Sequence, residues 1–142
     1  MLRARIHNSL VIRSTFESED YNARKHAIEE ELNERQEKAF NGLQEAAKER
    51  GAALIRTPVG FTFAPMHRGE VVNPEVFRQW PEEHQEKVKQ TLSQLEDELQ
   101  KTLKQIPQWQ REAREKLRQL NHEVTSFAVE HLINGLKERY SG

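Results

Sequence analysis

Serine, histidine and carboxylate side chains carry most of the chemistry open to this sequence, because it contains no cysteine. A nucleophilic serine needs a base and an oxyanion-stabilising site beside it. Ser9, Ser14, Ser18, Ser93, Ser126 and Ser141 stand in no such signature and read as caps and exposed helix positions. A phosphate-binding loop ends in Gly-Lys-Ser/Thr, so that backbone amides and the lysine face the phosphates. No glycine here is followed by lysine, and the chain alone is not expected to bind ATP. A helical zinc site sets histidines four residues apart with a carboxylate or another histidine in reach. His122 and His131 are nine apart, and His26, His67 and His84 are isolated in sequence, so no metal is expected. Acid–base hydrolysis of a glycoside needs two carboxylates across a cleft. Glu29-Glu30-Glu31, Glu82-Glu83 and Glu96-Asp97-Glu98 instead alternate with Lys and Arg, as on a solvated helix face. No catalytic residue, cofactor or metal ligand is therefore assigned to this chain, and it is not expected to be an enzyme on its own.

One apolar cluster invites a binding role. Val59, Phe61, Phe63 and Met66 lie in a β-type segment and could present a contact surface for a substrate or partner. Phe61 and Phe63 share one face, because strand side chains alternate. A small sheet must also bury one face to exist, which competes for the same phenylalanines. Trp80 and Trp109 are open to the same two readings, as seam residues or interface anchors.

The elements that would hold these residues are mostly helical. Leu2, Ile6 and Leu10 recur every four residues and predict a short helix over about 2–12. Ser14-Thr15-Phe16-Glu17-Ser18 interrupts that pattern, and Ser18 reads as the N-cap of a second helix, about 18–50. Gly51 takes the left-handed C-terminal position. A β meander of two or three strands is expected over about 53–72, with turns at Pro58-Val59-Gly60 and His67-Arg68-Gly69-Glu70. Asn73-Pro74-Glu75 opens a short helix by cap and proline. From Pro81 the apolar positions Val88, Leu92, Leu95, Leu99, Leu103, Ile106, Ala113, Leu117, Leu120, Val124 and Phe127 alternate steps of three and four, nearly to Tyr140. Pro107 is the one interior breaker and should kink or split this helix, about 81–140. The fold expected is mainly α: a long antiparallel helical hairpin, coiled-coil-like, with the meander at its turn. Its return arm past Pro107 would pack against the first helix around Ile6 and Leu10, within a single domain spanning 1–142.

Composition agrees with narrow seams rather than a thick core. Apolar residues are 35% and charged residues 32% of the chain, with mean hydropathy −0.91, against ~45–50% apolar in ordinary domains. The net charge of −1 gives no electrostatic case for nucleic acid or an anionic membrane. Arg111, Arg114, Lys116 and Arg118 are interleaved with Glu112 and Glu115, so a nucleic-acid role is the weakest reading. No apolar run reaches the roughly 18 residues of a membrane span, and Met1–Ile6 lacks the apolar stretch of a secretory signal. With no cysteine, these features suit the cytoplasm.

Three stretches together resemble the Lon-related ATP-dependent proteases of bacteria. The first is Phe16-Glu17-Ser18-Glu19-Asp20-Tyr21 with Ala27-Ile28-Glu29-Glu30-Glu31 and Glu34-Arg35-Gln36-Glu37. The second is Arg56-Thr57-Pro58-Val59-Gly60-Phe61 with Asn73-Pro74-Glu75-Val76-Phe77. The third is Gln110-Arg111-Glu112-Ala113-Arg114-Glu115 with Phe127-Ala128-Val129 and Leu136-Lys137-Glu138-Arg139-Tyr140. The resemblance implies a helical insertion domain within an AAA+-like module, cut from a longer cytoplasmic serine endopeptidase. ATP and Mg²⁺ would belong to the parent, and the Ser-Lys dyad to a separate C-terminal domain. Neither the nucleotide motifs nor the dyad is present, so no catalytic residue carries over. The implied partners are the remaining AAA+-like and protease domains, polypeptide substrates, and further copies in a homo-oligomer. The rival expectation is a free-standing coiled-coil scaffold or adaptor.

Overall fold

Among residues 2–49 only Gly42 opposes a helix on intrinsic propensity, and no proline interrupts them. In the computed structural model they form one helix, α1 (Leu2–Glu49). The structure describes the backbone of residues 2–140 and the side chains of residues 17–137. The break expected at 14–18 does not form. Ser, Thr, Phe and Glu each cost a helix only some tenths of a kcal/mol, too little to end it, and Ser18 is an interior position rather than a cap. The outward helix is therefore 48 residues long rather than the 33 or so expected. The packing expected around Ile6 and Leu10 lies outside the described side chains.

Helix α1 stops where the sequence requires. Gly51 has φ +74°, a conformation that costs an L-residue roughly 1–2 kcal/mol, and its N–H bonds to the Lys48 carbonyl at 3.2 Å. An antiparallel sheet follows in the order β1 (Ala52–Thr57), β2 (Gly60–His67), β3 (Glu70–Val71). Leu54 faces Phe63 and Arg56 faces Phe61 across the first pair. The second turn has positive φ at both central residues, 52° at Arg68 and 80° at Gly69, the twist that a two-residue hairpin favours. Pro65 offers β2 no donor, while its carbonyl accepts from the Val72 N–H at 2.8 Å.

Asn73 caps α2 (Pro74–Arg78) by accepting from the Glu75 N–H at 3.1 Å. Gln85 then ties the next junction, its Nε2 donating to the Trp80 carbonyl at 2.7 Å and to the Arg78 carbonyl at 3.1 Å. Helix α3 (Glu82–Tyr140) runs on through Pro107, so the helix is not split there. Proline still removes one donor from the ladder.

The chain divides into two compact units, Glu34–Gln108 and Met1–Asn33 with Trp109–Gly142. The first contains the core. Leu43 and Ala47 of α1, Ala52 of β1, Phe63 of β2, and Leu95 and Leu99 of α3 are buried together. Phe40, Leu54, Phe61, Leu92 and Leu103 pack around them, half-buried. In the second unit Ala113 and Leu120 of α3 are buried, and Tyr21, Ile28 and Leu32 of α1 are half-buried. The α3 seam stays covered as far as Leu120 and then emerges, Val124 and Phe127 both being exposed. Among the described residues no helix is long and apolar enough to cross a membrane.

Candidate interaction surface

The strand alternation that pairs Phe61 with Phe63 aims both at the helices rather than at solvent. Phe63 is 8% exposed and belongs to the core. Phe61 is half-buried, its ring centroid 5.0 Å from that of Phe40 on α1. Met66 is half-buried on the same strand. Val59, in the β1–β2 turn, is 98% exposed. The four residues are thus near in sequence but do not form one open patch. Thr57 steadies the turn, its Oγ1 donating to the Gly60 carbonyl at 2.8 Å.

Folding gathers an aromatic group that sequence spacing did not reveal. Trp80 lies 5.5 Å from Phe77, 4.7 Å from His84 and 6.2 Å from His67, centroid to centroid. The two histidines, isolated in sequence, come from β2 and α3 to the same indole. Trp80 is half-buried and serves as the junction residue between α2 and α3. Trp109 is half-buried on α3. Among the described residues no three His, Asp or Glu side chains converge to hold a metal ion.

The second unit carries an open concavity. Glu17, Asp20, Tyr21 and Arg24 of α1 and Glu123, Val124, Phe127, Ala128, His131 and Leu132 of α3 line an open groove of about 560 Å³. Its floor is apolar, and its rim is fixed by cross-helix bonds. Tyr21 Oη donates to Asn121 Oδ1 at 2.5 Å, and Arg24 Nη2 pairs with Glu123 Oε2 at 2.8 Å. Lys116 reaches Glu31 at 3.1 Å further along. Phe127 stacks on His131 with rings 10° from parallel. The groove opens where α3 continues its apolar alternation while α1 offers Glu17, Ser18 and Asp20. The interruption expected at 14–18 announced a helix break, which does not form, and nothing in the spacing announced a groove.

These rim pairs are exposed, so each contributes little to stability. The same holds for Glu115 and Arg118 on α3, bonded at 2.7 Å. The guanidinium hydrogen bond holds the Glu115 carboxyl below its usual range and raises Arg118 above its own. The arrangement suits docking of a chain segment by shape and apolar contact, with charged edges that set register. Comparison with family models, with curated proteins and with solved structures returns no match to this chain.

Proposed function

We propose that this chain is a non-catalytic helical interaction module, the insertion domain of a bacterial Lon-related serine protease, which shapes polypeptide access to the parent's AAA+-like and proteolytic chambers. The observation that carries the reading is the pairing of α1 with α3. In the second unit, as the α1 position falls from Glu31 to Tyr21, its α3 partner rises from Lys116 to Asn121, the sense of an antiparallel pair. In the first unit Leu43 and Ala47 pack with Leu95 and Leu99. This supports the coiled-coil-like hairpin expected from sequence, with the meander connecting its arms. The residue resemblance supplies the family. ATP, Mg²⁺ and the Ser-Lys dyad then belong to the rest of a cytoplasmic, homo-oligomeric parent, and the β1–β2 turn bearing Val59 is the place where substrate would touch.

The experiment compares the parent carrying Val59→Asp with the unaltered enzyme. Degradation of an unfolded protein should slow several-fold, with cleavage of a short fluorogenic peptide unchanged. Equal rates on the unfolded protein would remove the turn from substrate handling. A second reading, a free-standing coiled-coil scaffold, is favoured by the apolar surface that α3 leaves uncovered beyond Leu120.

A further inference from the structure

Strand β1 forms one edge of the sheet, and a single bond sets the phase of its ladder. The Met66 N–H reaches the Gly51 carbonyl at 2.9 Å, so these two are a hydrogen-bonded pair next to the Ala52–Pro65 register. In an antiparallel ladder such pairs alternate with pairs that exchange no bond. Ala53, Ile55 and Thr57 therefore direct their N–H and C=O groups to β2, while Ala52, Leu54 and Arg56 turn theirs away from the sheet. Among the described residues no hydrogen bond meets these three on that side. Ala52 is buried, Leu54 half-buried and Arg56 exposed, so the edge opens from Leu54 onward. Of the devices that blunt an edge strand, β1 has one charge, Arg56, and neither a bulge nor a proline. A cleft of about 220 Å³ continues the edge past Ala52, between Arg50, Gly51 and Ala52 and the first turns of α3 at His84, Lys87 and Thr91. No carboxylate lines it. Arg50 pairs with Glu98 at 3.0 Å, and Lys87 has no ion-pair partner among the described residues.

We propose that this edge receives an extended polypeptide segment, antiparallel to β1, with carboxylate side chains four residues apart. The backbone selects the class of partner, because a row of outward N–H and C=O groups at strand spacing is satisfied by another extended backbone. In register, one side chain of the added strand stands opposite Arg56 and another, four residues on, opposite Ala52. Both fall on the helix side of the sheet, the first beside Arg56 and the second at the cleft that holds Lys87. The alternate residues fall on the other face, beside Ala53 and Ile55, which are apolar and half-buried, so apolar side chains suit them. Charge also decides against a second copy of the chain. It would bring its own Arg56 to an edge already cationic at both ends, where like charges repel. The paired stretch is short, so binding of a free segment is weak. The proposal stands on β1 and the start of α3, and does not depend on the protease reading.

Fluorescence anisotropy of a fluorescein-labelled peptide, Thr-Glu-Val-Thr-Val-Glu-Thr, titrated with the 142-residue chain up to about 500 µM tests it. The expected result is saturable binding. N-methylation of the central Thr, whose amide faces β1, should abolish it, whereas N-methylation of a Val, whose amide faces away, should change it by less than about twofold. Replacing both Glu of the peptide by Lys should weaken binding at least about tenfold, and Lys87→Glu in the chain should weaken binding of the Glu peptide about threefold or more. Arg56→Pro deletes one outward donor without taking a bond from β2, and should bind more weakly than Arg56→Thr, which keeps that donor. The N-methylated pair uses the unaltered chain and so decides the matter even if Arg56→Pro destabilises the strand. No binding, equal binding of the two N-methylated peptides, or equal affinity for the Glu and Lys peptides would overturn the proposal. Self-association of the chain that Arg56→Pro abolishes would also overturn it, by giving the edge to a second copy.

Discussion

Phe63 and Val59 sit four residues apart and have opposite fates, because Phe63 lies on the core side of β2 while Val59 belongs to the turn before it. The apolar run 59–66 announced a β segment with paired phenylalanines, and the alternation placed Phe61 and Phe63 on one face. Whether that face met solvent or helix depended on residues far off in the chain, Phe40, Leu95 and Leu99, which local spacing does not register. Phe63→Ala should therefore cost about 3–5 kcal/mol of unfolding free energy, whereas Val59→Ala should stay within about 0.5 kcal/mol; urea denaturation distinguishes them. Arg68 offers the reverse case. Its φ of 52° suits glycine or asparagine better than arginine, so Arg68→Gly should be neutral or stabilising by up to about 1 kcal/mol. A loss of stability would mean that the arginine side chain contributes more than its backbone strain costs.

At the scale of elements, the boundaries set by special residues were readable in advance. The Gly51 terminus, the Asn73–Pro74 start and the Arg68–Gly69 turn each rest on one residue's backbone preference. Boundaries resting on weak propensity were not, which is why α1 passes through Ser14-Thr15-Phe16-Glu17-Ser18 unbroken. Breaking a long helix needs a proline, a glycine or a tertiary contact, and this segment holds neither of the first two. Pro107 shows how much a long helix tolerates. Its missing donor and ring leave α3 continuous, at a cost of up to about 3 kcal/mol. Pro107→Ala should accordingly raise stability by about 1–3 kcal/mol in the same denaturation assay. A neutral or destabilising outcome would show that packing around Ile106 and Trp109 requires the proline.

At the scale of the whole molecule, the chain has two units of unequal interior. Residues 34–108 bury a cluster drawn from two helices and two strands, while the other unit has a seam that runs out after Leu120. A polar, charge-balanced composition predicted narrow seams, but not that apolar surface would be left open on α3. Opening free energies should follow burial. Hydrogen exchange should be slowest at 43–47 and 95–99 and faster by at least about tenfold at 124–136. Equal protection would contradict this division. An open groove and apolar residues left exposed on α3 beyond Leu120 set this chain apart from a self-contained globule. The measurement that tests this module's proposed origin most directly is the intact mass of the native protein from its source, traced with tryptic peptides of residues 18–50. A native chain several times heavier than 16.7 kDa, with peptides carrying a Gly-Lys-Ser/Thr loop or a Lon-type serine site, is the predicted result. A native mass near 16.7 kDa would contradict the insertion-domain reading and leave the scaffold in its place.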